Sequence, residues 1–333
     1  MDPRIYQLSV LAGLLVYGMG ALEFEIGAVQ LGVTLGAVLV TQWGCTRWWK
    51  LPRFDPKSAL ISGLSLCLLL RTNHLWLIAA GAVVTVASKF TLRCRGKHLF
   101  NPTNFGLVAM IALTDGRVWV SPGQWGNVAF FGFLMACLGG LVVNRAARAD
   151  VTLAFLGFYL ALVFSRSLWL GEPLAIPLHR LQSGALLLFA FFMVSDPKTT
   201  PDSRAGRILF AALVAFGAWY VTFRMFRTNG LLWSLAVVSF TVPLIDRLLP
   251  GTRYDWITRA ALCAATSGMW RPAMPLPDSQ FLPTQYSHEN TTAHRLPHPA
   301  ARGTLRIFLL RLLCCEGRYE AFQPGVTGRA RAR

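Results

Sequence analysis

Two short polar stretches, each set against an apolar run, hold the residues of this chain best suited to chemistry. The first is Asn101-Pro102-Thr103-Asn104, which follows the basic stretch ending at Lys97. Asparagine followed by proline predicts an N-cap and a helix running from there to about Leu113. Free N–H groups at such a start, with cationic side chains just upstream, suit a phosphate or another anion. A capped helix beside a cytoplasmic basic loop accounts for the same residues, and the sequence weighs the two readings evenly. The second stretch is Ser195-Asp196-Pro197-Lys198-Thr199-Thr200, where the apolar run Gly184 to Val194 stops. Pro197 biases Asp196 away from the helical region, so the helix should end there. A carboxylate at membrane depth costs about 2.5–3.5 kcal/mol on insertion scales and tends to mark an ion path. Thr199 and Thr200 add hydroxyl groups, and Lys97 or Lys198 would offset the charge of a phosphate. The plainer reading is that Asp196 caps a break at the interface and Thr200-Pro201-Asp202 begins an ordinary helix.

The elements that must position these groups are helices in a bilayer. The chain has 333 residues, 54% of them hydrophobic and only 14% charged, with a mean hydropathy of +0.47. Soluble domains carry about 25% charged residues, so this chain is short of surface and reads as an integral, multi-pass membrane protein. The run from Gly184 to Val194 covers only about 16 Å as a helix, roughly half of a hydrocarbon core about 30 Å thick. A half-length helix that meets polar backbone at that depth is tolerated only inside protein or beside a cavity. In transporters such interruptions point to the binding site. Net charge is +17. The positive residues sit in short spacers between apolar runs, which fits the positive-inside rule and a basic tail rather than nucleic-acid binding. The seven cysteines form no CxxC and no His/Cys pairing, so neither zinc nor an iron–sulfur cluster is supported.

In chain order the apolar runs are Ile5 to Leu22, Ile26 to Trp43, Ser58 to Leu70, Leu75 to Ser88 and the segment after Asn101. Then follow Asn127 to Val143, Val151 to Phe164, the interrupted run at Gly184, Ile208 to Phe223 and Leu231 to about Ile245. Ser165 to Gln182 reads as a long polar connection. The total is about ten, which predicts an all-α polytopic protein with short broken helices. Ser62-Gly63 and the residues after it resemble Ser183-Gly184 and its run, and each is the third segment of its five. Five spans per half is an odd number, so a duplication would be inverted. Residues 1–262 form the expected transmembrane domain. Residues 263–333 form a basic and largely disordered tail, rich in Pro, Ser, Thr and His from about Pro272.

Ser88 to Gly106 (SKFTLRCRGKHLFNPTNFG) and Ser183 to Arg207 (SGALLLFAFFMVSDPKTTPDSRAGR) resemble the paired signature segments of the RnfD/NqrB family. Asn229-Gly230-Leu231-Leu232-Trp233 and Pro243-Leu244-Ile245-Asp246-Arg247 resemble its closing segment. More narrowly, DPKTTPDSR and SPGQWG are similar to the short RnfD-like proteins of enediyne biosynthesis clusters, the UnbU group. The resemblance implies ten helices in two inverted five-helix repeats and a subunit of a flavin-based, ion-coupled redox complex. Members with covalent FMN attach it at the threonine of a Ser-Gly-Ala-Thr motif. Here Ser183-Gly184-Ala185 is followed by Leu186, which has no hydroxyl to esterify, so any FMN or riboflavin is expected to bind noncovalently.

Two functions remain open at this point. One is a membrane electron-transfer or ion-coupled subunit whose flavin is held by Asn101, Thr103, Asn104, Lys97, Asp196, Lys198, Thr199 and Thr200, with other membrane or redox subunits as partners. The other is a flavin-free permease that moves a small solute or pathway product on the same scaffold. In both, the bilayer is the immediate partner and a bacterial plasma membrane the expected location. The chain shows no dinucleotide fingerprint and no serine or cysteine triad, so no catalytic residue is assigned and the remaining chemistry would belong to other chains.

Overall fold

A computed structural model describes residues 2–254 apart from residues 22, 23, 25, 122–127 and 182. The expected boundary at residue 262 and the whole tail lie outside the described residues. The chain clusters into two units, residues 1–93 with 97–270 and residues 94–96 with 271–333. The first unit holds every helix described below.

In chain order the helices are α1 (Pro3–Ala21), α2 (Ala28–Trp48), α3 (Pro56–Leu69), α4 (Leu75–Thr91), α5 (Pro102–Leu113) and α6 (Val128–Arg145). They continue as α7 (Ala149–Leu170), α8 (Ala175–Leu181), α9 (Gly184–Leu188), α10 (Arg204–Phe223), α11 (Gly230–Ser239) and α12 (Val242–Leu248). A π-helical turn, Phe189–Met193, continues α9. Among the described residues three helices, α2, α7 and α10, are long and apolar enough to cross a membrane, and α11 with α12, bent by 51° at their break, pass the same test only as a pair. Helices α3, α4, α5 and the α9 run are apolar but shorter.

The helix starts follow from local chemistry. Asp55 caps α3 by accepting from the Lys57 amide at 3.2 Å, with Pro56 in the first turn. Asn101 caps α5 as its sequence predicts, its side chain accepting from the Asn104 amide at 3.1 Å with Pro102 next in line. The start of α10 falls at Ser203, whose hydroxyl accepts from the Gly206 amide, not at Thr200-Pro201-Asp202. Two expected connections prove helical. α2 continues through Arg47 and Trp48. α7 runs on to Leu170, where Gly171 takes a left-handed conformation (φ 67°) and ends it, and α8 occupies much of the remaining spacer. The last apolar run is broken at Phe240 and Thr241, with Pro243 in the first turn of α12.

Packing repeats between the two halves. In the first, α2 lies on α4, α4 on α5, and α1 on α3; in the second, α7 lies on α10, α10 on α11, and α6 on α9 with its π turn. Contacts of α1 with α6 and of α5 with α11 join the halves. The buried core runs through both, with Leu66, Leu68, Leu77 and Leu107 in one and Phe155, Phe189, Phe210 and Leu235 in the other.

Candidate functional site

The site forms where the start of α5 meets the end of the α9 run. The π turn has a visible cause. The Thr152 hydroxyl on α7 donates to the Ala190 carbonyl at 2.9 Å, and the Val194 amide reaches back five residues to the Phe189 carbonyl at 3.0 Å. A side chain inserted into the helical ladder is a known origin of such a defect. After Val194 the chain turns around Asp196. Its backbone carbonyl accepts from the amides of Thr199 and Thr200, both at 3.1 Å, and its Oδ1 accepts from the Lys198 amide at 3.0 Å. A carboxylate turn followed by proline thus closes the break by itself.

Asn101 links the two elements. Its Nδ2 donates to Asp196 Oδ2 at 3.2 Å and to the Met193 carbonyl at 3.4 Å, while its Oδ1 caps α5. Two residues 95 positions apart in the chain are therefore bonded side chain to side chain. Both line a cavity of about 290 Å³, together with Thr103, Lys198, Lys89, His98 and the rings of Phe191 and Phe192.

The other residues singled out in the sequence serve the walls. Asn104 is fully buried; its Nδ2 donates to the Leu232 carbonyl on α11 at 3.2 Å, and its Oδ1 has no hydrogen-bond partner. The Thr199 hydroxyl donates to the Asp196 carbonyl at 3.2 Å. Thr200 accepts from Nε of Arg148 at 3.1 Å. Lys97 is held away from the cavity lining, its ammonium bonded to Asp202 and to Asp246, both at 2.9 Å. Asp246 also accepts from the Asp202 amide, so the loop before α5, the start of α10 and α12 are tied at one point.

Three residues carry more of this site than local pattern reveals. Arg148, at the start of α7, is only 4% exposed and lies over the Tyr254 ring. Burial and the neighbouring Arg207 charge bring its pKa down to about 10, which leaves it a cation at neutral pH. Lys89 is also 4% exposed, and its ammonium donates to the Ser58 carbonyl at 2.7 Å and to the Ser58 hydroxyl at 3.2 Å. His98 lies in the loop before α5. Burial, then the charges of Arg93, Lys89 and Lys198, push its pKa down to about 3, so its ring is neutral. The available signal was an ionisable residue inside or beside an apolar run, which for Lys89 required placing the end of α4 past Ser88.

The lining suits a ring system with hydrogen-bonding edges. Phe191 and Phe192 line it with Asn101, Thr103 and Asp196, which carry donors and acceptors, and the His98 Nδ1 atom is buried without a partner. The volume sits at the lower end of the range of about 300–1,000 Å³ common for ligand pockets. Among the described residues no group of three metal-ligating side chains gathers anywhere.

Apolar helices that reach membrane length, an interrupted half-helix and a polar cavity at its break define a multi-pass helical membrane protein. Residues 114–255 match the NQR2, RnfD, RnfE family model. Asp196 to Thr200 fall inside the matched stretch; Lys97 to Asn104 precede it. The chain is 34% identical over 128 residues to a subunit of the ion-translocating oxidoreductase complex of Pectobacterium carotovorum subsp. carotovorum (strain PC1), covering 37% of this chain and 34% of that protein. It is 33% identical over 153 residues to the subunit of the same description from Erwinia tasmaniensis, covering 44% and 38%. The corresponding figures for the subunit from Escherichia coli O1:K1 / APEC are 36% over 127 residues, covering 37% and 34%. The matched region thus spans little more than a third of the length of these curated relatives.

Proposed function

We propose that this chain is a membrane subunit of an ion-coupled redox complex and holds a flavin, FMN or riboflavin, noncovalently. The observation that carries this reading is the bond between Asn101 and Asp196 on the wall of a polar cavity, where the start of α5 meets the end of the α9 run. The description of the relatives as subunits of an ion-translocating oxidoreductase complex supports it. Asn101, Thr103, Asp196 and Lys198 would hold the flavin against Phe191 and Phe192. Asn104, Thr199 and Thr200 fix the backbone that presents them, and Lys97 anchors the loop before α5. When bound, the flavin supplies the electron exchange; the protein sets its position and electrostatics. Asp196, a carboxylate at the break, is the proposed contact for a coupling ion.

The local structure supports noncovalent binding. Ser183 is the N-cap of α9, Leu186 is buried, and only residues 146–148 separate α6 from α7. The recurring packing supports an arrangement of ten transmembrane helices as two inverted five-helix repeats within residues 1–262, with residues 263–333 as a separate tail. Partners would be other membrane and redox subunits in a bacterial plasma membrane, and the resemblance of DPKTTPDSR and SPGQWG ties the proposed role to enediyne biosynthesis. One observation favours a second reading, a flavin-free permease: a cavity of about 290 Å³ suits a small solute as well as it suits a ring.

The test is the visible absorbance spectrum of the detergent-purified full chain before and after acid precipitation. Flavin released into the supernatant is the expected result. A colourless protein that stays colourless after flavin supplementation overturns the redox reading in favour of the permease, and flavin retained on the pellet overturns noncovalent binding.

A further inference from the structure

Lys89 and His98 stand on the wall of the same cavity and have no role in the flavin reading. The Lys89 ammonium is buried, and among the described residues no carboxylate lies within 4 Å of it; its hydrogen bonds go to Ser58. Asp55 and Asp196 act on it only through space. Each is engaged elsewhere, Asp55 with Arg4 and the Lys57 amide, and Asp196 with Asn101 and the Lys198 amide. An ammonium has three donors and two of them go to Ser58, so one more acceptor fits, and a negative oxygen there favours the charged form that burial otherwise disfavours. His98 supplies the complementary deficit. Its Nδ1 is left buried with no hydrogen-bond partner. In the neutral tautomer that carries its hydrogen on Nε2, Nδ1 is an acceptor and requires a hydrogen from the ligand.

We propose that Lys89 and His98 form a site for a small oxyanion that still carries a hydrogen, such as monoprotonated phosphate or a phosphate monoester, with the charged oxygen on Lys89 and the O–H donated to His98 Nδ1. The site rejects a fully deprotonated anion of the same shape, because sulfate brings no hydrogen and sets an oxygen against the Nδ1 lone pair. Ser58 holds the ammonium in place from the first turn of α3. The inference does not rest on the flavin reading, since free phosphate and the phosphate end of a cofactor offer the same chemistry.

Calorimetric titration of the detergent-purified full chain at neutral pH, with inorganic phosphate and with sulfate, tests it. Saturable phosphate binding at least tenfold tighter than sulfate binding is expected. Lys89→Gln should lose phosphate binding by at least tenfold, Lys89→Arg should keep it within a few-fold, and His98→Ala should bring phosphate and sulfate to similar affinity. Competition by FMN but not by riboflavin assigns the oxyanion to a cofactor; competition by neither assigns it to a free anion, and the site stands in both cases. No saturable phosphate binding to the wild type, equal phosphate and sulfate affinities, or a wild-type profile in folded His98→Ala overturns the proposal. If Lys89→Gln does not fold, the wild-type anion selectivity and His98→Ala decide.

Discussion

The two short helices α3 and α9 read alike in the sequence and end in opposite ways. At the end of α3 a cation closes the break: Arg71 donates to the carbonyls of Cys67, Leu68 and Leu70 at 2.8–3.2 Å. Leu70 and Arg71 also pair as a short strand with Val120 and Trp119, so the freed backbone is satisfied by protein. At the end of the α9 run a carboxylate closes the break, and it does so beside a cavity and the start of α5. Even the Ser-Gly pairs are not equivalent, since Ser62-Gly63 lies inside α3 while Ser183 is the N-cap of α9. A break whose groups all pair with protein away from a cavity is architecture, whereas a break whose carboxylate also bonds across the halves beside a polar cavity is a place where a ligand can act.

The contrast between the breaks is most vulnerable at Arg71. Arg71→Met strips the donor from three carbonyls, and each buried group left unpaired costs about 1–3 kcal/mol. The expected outcome is a large loss of thermal stability in detergent; a variant that melts like the wild type would show that the first break does not depend on its cation.

A smaller effect should come from the contacts that hold each half together. A Cβ built on Gly106 in α5 would lie 1.8 Å from the Thr85 hydroxyl oxygen on α4, and one on Gly217 in α10 would lie 2.4 Å from the Ser234 hydroxyl oxygen on α11. Corresponding helix pairs in the two halves thus approach through a glycine and a small hydroxyl. Gly106→Ala and Gly217→Ala should each cost about 1–3 kcal/mol by overpacking, with Gly106→Ala the larger loss. Equal stability of both variants and wild type in a thermal melt would contradict the close approach.

The pH response should separate the breaks more finely. The folded His98 pKa lies near 3, below the ordinary 6.5. Below 6.5 the unfolded chain therefore binds a proton that the folded chain refuses, and stability falls as pH is lowered from about 6.5 toward 3. His98→Gln should flatten that part of the melting profile and leave the Arg71 break unaffected. An unchanged profile would place the titration elsewhere.

Much of this was legible locally. Asparagine followed by proline marked the cap of α5, and Pro197 marked the end of the α9 run, because both act through the backbone within a few residues. The π turn was not legible, since it depends on Thr152 reaching Ala190 from another helix, 38 residues away. The same holds for the bond from Arg148 to Thr200 and for Lys97, whose charge suits a phosphate but is bonded to Asp202 and Asp246, 105 and 149 residues away. The lengthened α2 and α7 were hidden for a different reason. Beyond the apolar runs they carry Arg47 and Trp48, or Ser165 and Arg166, residues that look like a spacer when hydropathy alone sets the boundary.

The least change in stability belongs to Asp196→Asn, which keeps an acceptor and should cost about 1 kcal/mol. The same variant is the sharpest probe of where function lies, through the ratio of flavin to protein absorbance in the purified, folded chain. That ratio should fall at least tenfold in Asp196→Asn, while the folded fraction of Arg71→Met keeps the wild-type value. Wild-type flavin content in Asp196→Asn, or equal loss in both variants, would contradict the assignment of function to the second break alone.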